Sequence, residues 1–181
     1  LGGPMWQMVG RGSKQAQTLI LRPTGELALQ TPAVLQQLSQ FMPGLRVTAI
    51  YGGENIQRQF MALRQRPQIL VATPGRLVDH ITRGSIDLSH ISTVVLDEAD
   101  RMLDMGFRRD LNRILDAVPQ RRQTALFSAT MSKEIKEIAA KQLQNPVLVR
   151  VDRETVAEES IRQYFARVQS DRKNEELVSL L

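Results

Sequence analysis

Cysteine is absent from the 181 residues, which excludes a disulfide framework, a cysteine nucleophile and a thiolate metal site. Histidine is scarce, and His80 and His90 stand ten residues apart without zinc-ligand spacing. Aromatic residues make up only 4% of the chain, which argues against base stacking as a binding mode. No apolar run approaches the roughly 18 residues of a membrane span, and the first residues lack the charged-then-apolar pattern of a signal peptide. These absences point to a soluble, cytoplasmic protein. What is present is ordinary globular usage, 42% hydrophobic and 24% charged, enough for a sizeable core in one domain and the start of a second.

The net charge of +5 is unevenly spread. Residues 1–90 hold nine Lys or Arg against four Asp or Glu, and residues 91–181 hold fifteen of each. Eight of the nine basic residues in the first half are arginines, whose planar fork suits phosphate. A polyanionic partner is one reading; an arginine-rich solvated surface is the other.

Short apolar, β-branched runs alternate with helical stretches. Candidate strands are 18–21, 47–51, 69–72, 93–96, 124–127 and 147–151. Most are continuous rather than alternating, as expected of parallel strands buried on both faces. Candidate helices are 26–40, 55–64, 75–82, 108–117 and 132–142, the last with Ser132 as N-cap and Asn145-Pro146 as a stop. This alternation predicts an α/β fold with right-handed crossovers and an open parallel sheet. Ligands of such sheets bind beyond the carboxyl ends of the strands.

The residues that follow the strands suit that position. They are Arg22-Pro23-Thr24-Gly25-Glu26, Gly52-Gly53, Thr73-Pro74-Gly75-Arg76, Asp97-Glu98-Ala99-Asp100 and Ser128-Ala129-Thr130. An apolar strand ending in adjacent carboxylates is a layout that holds Mg²⁺ beside a nucleotide. Asp97 binds the hydrated ion and Glu98 orients and deprotonates the attacking water. The alternative is an acidic N-cap opening a helix near Ala99. Thr73-Pro74-Gly75-Arg76 reads as a strand–turn–helix junction whose free N–H groups and outward-facing Arg76 suit a phosphodiester. Gly52-Gly53 adds bare backbone. The alternatives here are plain helix capping at Pro74 and an ordinary glycine loop.

Taken together, Pro23-Thr24-Gly25-Glu26-Leu27, Gly52-Gly53, Thr73-Pro74-Gly75-Arg76, Asp97-Glu98-Ala99-Asp100 and Ser128-Ala129-Thr130 resemble, in order and spacing, the motifs of the DEAD-box RNA helicases. Ile69-Leu70-Val71-Ala72 and Arg101-Met102-Leu103-Asp104-Met105-Gly106-Phe107 resemble the bacterial members. The resemblance implies a RecA-like parallel sheet flanked by helices, an incomplete three-layer domain of the P-loop NTPase superfamily. It implies ATP and Mg²⁺ as cofactors, RNA held by its sugar–phosphate backbone without regard to sequence, and ATP hydrolysis coupled to local duplex unwinding. By motif, Asp97 positions Mg²⁺ through water and Glu98 activates water. Asp100, Ser128 and Thr130 couple the nucleotide to RNA. Pro23, Thr24, Gly53, Thr73, Pro74, Gly75 and Arg76 line the RNA track.

Departures from the family pattern accompany the likeness. Members carry a phosphate loop ending in Gly-Lys-Thr and an adenine-reading glutamine motif upstream of strand 18–21, and residues 1–17 match neither. Gly10-Arg11-Gly12-Ser13-Lys14 reads as a basic loop, and the nucleotide-binding residues are left unassigned. Arg22 stands where members have alanine, and Gly25 where they have arginine. Loss of that arginine removes a phosphate contact of about 1 kcal/mol or more; Arg22 returns part of the charge from a strand end, pointing elsewhere. Residues 18–151 read as a partial first domain, 152–160 as an acidic linker, and 161–181 as the start of a second RecA-like domain that stops before its arginines. The expectation for the truncated chain is either a binding module that touches RNA without turning over ATP, or an incomplete α/β scaffold that does not fold stably because elements flanking its sheet are absent.

Overall fold

The computed structural model describes residues 15–39 and 44–151. Gly10–Lys14, the linker at 152–160 and the segment at 161–181 lie outside the described residues. The chain divides between Asn145 and Pro146, and the larger unit contains the sheet.

Its elements run β1 (Thr18–Leu21), α1 (Gly25–Ser39), β2 (Val47–Ile50), α2 (Ile56–Arg64), β3 (Ile69–Ala72), α3 (Pro74–Thr82), β4 (Thr93–Leu96), α4 (Ala99–Asp104), α5 (Arg108–Ala117), β5 (Gln123–Leu126) and α6 (Lys133–Gln142). All five strands are parallel, in the order β2-β3-β1-β4-β5. The α/β class read from the sequence is the class observed.

The unbroken apolar runs have a simple cause. Leu19 and Leu21, Leu70 and Ala72, and Val94 and Leu96 point to one face, where Leu77, Met102, Leu111, Ile114, Leu115, Ile135 and Ile138 meet them. Ile20, Ile69, Val71 and Val95 point to the other, against Ala28 and Leu35 of α1. A strand buried on both faces has no solvent side to mark with polar residues. Helix starts follow local chemistry. Asn55 caps α2 by accepting from Gln57 N at 2.8 Å, and Ser132 caps α6 by accepting from Ile135 N at 3.3 Å.

Three expected strands differ in outcome, and the first, at 47–51, ends one residue earlier, at Ile50. The run at 124–127 begins one residue earlier, because Gln123 N already donates to Ser92 O at 2.9 Å. The run at 147–151 pairs with no strand among the described residues, and Val147 and Val151 are 88% and 87% exposed. An apolar β-branched segment signals strand propensity, but a strand exists only where an edge accepts its hydrogen bonds.

Candidate functional site

Register determines the rim. Leu21 lies opposite both Ala72 and Leu96, Ile50 opposite Ala72, and Leu96 opposite Leu126. The next residues, Tyr51, Thr73, Arg22, Asp97 and Phe127, therefore stand in one row. The ladder extends one step into that row: Thr73 N donates to Ile50 O at 2.9 Å, Arg22 N to Ala72 O at 2.9 Å, Asp97 N to Leu21 O at 3.1 Å and Phe127 N to Leu96 O at 2.8 Å. Five segments scattered over more than a hundred residues of sequence share one edge, about 19 Å wide at the usual strand spacing.

The β4–β5 end of the row is acidic. Asp97 is largely buried, and its Oδ2 sits 3.1 Å from Arg22 Nη1. Glu98 adopts a left-handed backbone, φ 54° and ψ 50°, ahead of α4 and makes no side-chain cap. N-caps use extended backbone and accept from the helix, so the capping alternative does not describe this residue. Its carboxylate lies between two guanidinium groups, 3.7 Å from Arg22 Nη1 and 3.3 Å from Arg101 Nη1.

Asp100, Ser128 and Thr130 come together. Asp100 Oδ2 accepts from Ala129 N at 3.1 Å and Thr130 N at 3.0 Å, while Ser128 Oγ donates to Thr130 O at 2.7 Å. Burial raises the Asp100 carboxyl pKa. Hydrogen bonds from the Arg101 and Thr130 amides and the Thr130 hydroxyl outweigh it and hold the pKa below its ordinary value. The Ser128 hydroxyl adds to this when its single proton turns toward Asp100.

The residues expected to line an RNA track stand at the β2–β3–β1 end. Thr73, Pro23 and Pro74 are buried, and Thr24 Oγ1 caps α1 by accepting from Leu27 N at 3.4 Å. Gly52, Gly53 and Gly75 are exposed, and Gly53 has the positive φ of 88° that favours glycine. Arg76 does not face outward. Its Nη1 donates to Glu54 O at 3.0 Å and Gln59 Oε1 at 3.2 Å, folding the guanidinium back under the glycine turn. The sequence expectation is corrected here: a carbonyl and an amide on α2 and its leading loop lie within reach of the arginine. What this end leaves exposed is backbone at the glycines, beside the starts of α1 and α3.

Sequence reasoning missed the group beneath Arg76. Gln59, 1% exposed, donates through Nε2 to Tyr51 O at 2.9 Å and Glu54 Oε2 at 3.0 Å. Its Oε1 also meets His80 Nε2 at 3.0 Å, and His80 Nδ1 lies 2.8 Å from Ser85 Oγ. A glutamine in a polar helix carries no signal of burial. The partners that bury it come from two other elements.

Among the described residues no group of three or more His, Asp or Glu is placed to hold a metal ion. The donor chemistry of Asp97 and Glu98 nonetheless fits Mg²⁺, which takes one or two carboxylates and completes its shell with water and phosphate.

Residues 3–138 match the family model described as DEAD/DEAH box helicase. The chain is similar to the DEAD-box ATP-dependent RNA helicase CshA of Geobacillus kaustophilus, 43% identical over 99% of this chain and 38% of that protein. It is 45% identical to the ATP-dependent RNA helicase DeaD of Escherichia coli K12, over 98% of this chain and 28% of the relative. Among solved structures it resembles a DEAD box protein from the hyperthermophile Methanococcus jannaschii, with a TM-score of 0.76 and 35% identity, covering 98% of this chain and 47% of that one. The yeast DEAD-box splicing factor Prp28 matches with a TM-score of 0.69 and 36% identity, over 71% and 31% of the two chains. The chain thus spans less than half the length of each of these relatives.

Proposed function

This chain belongs to the DEAD/DEAH box helicase family, and on that premise we propose that its rim supplies the acidic and RNA-facing parts of an ATP-dependent RNA helicase. The observation that carries the reading is the continuous row from Tyr51 to Phe127, which places the glycine and helix-start surface on one flank and the carboxylates on the other. Asp97 would hold Mg²⁺ through water, beside ATP. Bound there, the ion neutralises charge developing on the transferred phosphate. Glu98 accepts the proton of the attacking water. Asp100 fixes the backbone of Ala129 and Thr130, so that a change at the acidic flank reaches the loop after β5.

On the other flank, Gly53, Gly75 and the first turns of α1 and α3 hold the RNA sugar–phosphate backbone. Thr24, Thr73, Pro23 and Pro74 shape these turns, and Arg76 sets the position of the Gly52-Gly53 turn. Contacts of this kind read shape and charge rather than bases. Residues 18–151 form the first RecA-like domain in this reading, 152–160 the linker and 161–181 the opening of the second. The protein works in the cytoplasm.

A second reading, RNA binding without turnover, is favoured by two observations. The 181 residues contain no Gly-Lys-Ser or Gly-Lys-Thr, and Arg22 already pairs with Asp97. One experiment tests both: ATP hydrolysis by this chain with and without single-stranded RNA, beside RNA affinity at several salt concentrations. RNA-stimulated hydrolysis lost in Glu98→Gln establishes the first reading. Salt-sensitive, sequence-blind binding without hydrolysis establishes the second. Affinity that ignores salt rejects the phosphate track in both.

A further inference from the structure

We infer that Arg22 is the resident counter-cation of Asp97 and Glu98, and that a divalent cation reaches these carboxylates only by displacing it. The inference rests on the proposed role of Asp97 and adds a residue that the role does not include.

The pairing follows from the sheet. Leu21 and Leu96 are register partners, so the first residues past β1 and β4 are neighbours. Both backbones are tied into the ladder, Arg22 N to Ala72 O and Asp97 N to Leu21 O. A long cationic side chain at position 22 therefore starts beside the carboxylate at position 97, whatever the loops do. The two side chains are 18% and 12% exposed, which leaves their attraction less screened by water and salt than a surface pair.

The contact is strong enough to occupy the site and weak enough to yield. Arg22 engages through Nη1 alone, at 3.1 Å to Asp97 Oδ2 and 3.7 Å to Glu98 Oε1. It does not form the two parallel bonds of a fork on a carboxylate. Arg22 Nε is buried with no hydrogen-bond partner among the described residues, so part of the guanidinium is desolvated without return. Its departure would restore that hydration. Arg101, on Glu98 Oε2 at 3.3 Å, is more than half exposed and is a weaker competitor. Two carboxylates already faced by two guanidinium groups present little net charge to an incoming ion. Removing Arg22 returns one unit of negative charge to the better shielded member of the pair.

The test is Mn²⁺ binding to the whole chain, followed by electron paramagnetic resonance of the free ion and needing no turnover. Arg22→Ala is expected to bind Mn²⁺ about tenfold more tightly than the parent chain, the scale of one charged hydrogen bond. Asp97→Asn in the same background should remove the gain. Arg22→Gln, which keeps the stem, gives the same answer if the alanine variant fails to show a native circular dichroism spectrum. Equal Mn²⁺ affinity in the parent and the folded Arg22 variant overturns the inference and leaves the metal assignment standing. A gain that survives Asp97→Asn overturns it as well. No Mn²⁺ binding in any of the proteins overturns the inference and the metal assignment together.

Discussion

Gln59 holds Arg76: its Oε1 accepts from Arg76 Nη1 at 3.2 Å, and the same oxygen lies 3.0 Å from His80 Nε2. With its Nε2 donating to Tyr51 O and Glu54 Oε2, this one amide joins α2, α3 and the turn after β2. In the neutral imidazole Nε2, facing the Gln59 oxygen, carries the proton, and Nδ1 accepts from Ser85 when that hydroxyl's single proton turns away from His80 O.

Gln59→Ala should therefore destabilise the protein by about 1–3 kcal/mol, since it leaves buried groups without partners. Denaturant melts of Gln59→Ala, Arg76→Ala and the double variant measure the link. A coupling near 1 kcal/mol is expected for residues in one network; strictly additive losses would reject it.

Stability should fall with pH in the range where His80 titrates. Burial lowers its pKa below 6.5, and the neighbouring Arg76 charge lowers it further. Between the depressed folded value and 6.5 the unfolded chain binds more protons, so stability is complete above 6.5 and declines as pH falls through the folded value. His80→Gln should flatten this slope in melts taken from pH 7 to pH 5. An unchanged slope would show that His80 is not its source.

Asp100 governs a lower range. Its carboxyl is held below the ordinary 3.8, so its contribution is full above that pH and lost as pH drops through the folded value. Asp100→Asn should cost about 1–2 kcal/mol at pH 7, because an amide replaces an ionised acceptor of two backbone N–H groups. The cost should shrink toward pH 3. A cost independent of pH contradicts the assignment.

Glu98 sits at φ 54°, a region costing a non-glycine residue roughly 1–2 kcal/mol. Glu98→Gly should therefore be more stable than Glu98→Ala by about 1 kcal/mol, the reverse of their order in a helix. Thermal unfolding of the two variants decides it. A more stable alanine variant would mean that the backbone there is not strained.

Gly25, the first residue of α1, lies against the Tyr51 ring. A Cβ at this position would stand 3.0 Å from Tyr51 Cδ2, tighter than a packed ring accepts. Gly25→Ala should cost about 1 kcal/mol from this crowding, and less when Tyr51 is replaced by leucine. The two substitutions in a double-mutant cycle measure the coupling; none would place the ring elsewhere.

Much of the architecture was legible along the chain. Three of the five strands were read to the residue, because a run such as Ile69-Leu70-Val71-Ala72 has one structural use in an alternating pattern. The loops at their ends were legible for the same reason: parallel strands deliver their carboxyl ends to one edge. The segment at 147–151 was not, since its composition reports propensity and its pairing depends on an edge elsewhere. Arg76 was read as outward because a turn–helix start exposes its side chain, and nothing local announces Gln59.

Local pattern thus accounts for which segments are strands and which residues follow them, since both depend on near neighbours. The side-chain partners were decided by strand order and register. Arg22 and Asp97 are seventy-five residues apart, and no local preference links them. They meet because β1 lies between β3 and β4. Hydrogen-bonded strands stand about 4.8 Å apart, so that order alone brings a cation against a carboxylate and makes an acidic motif into a neutralised pair.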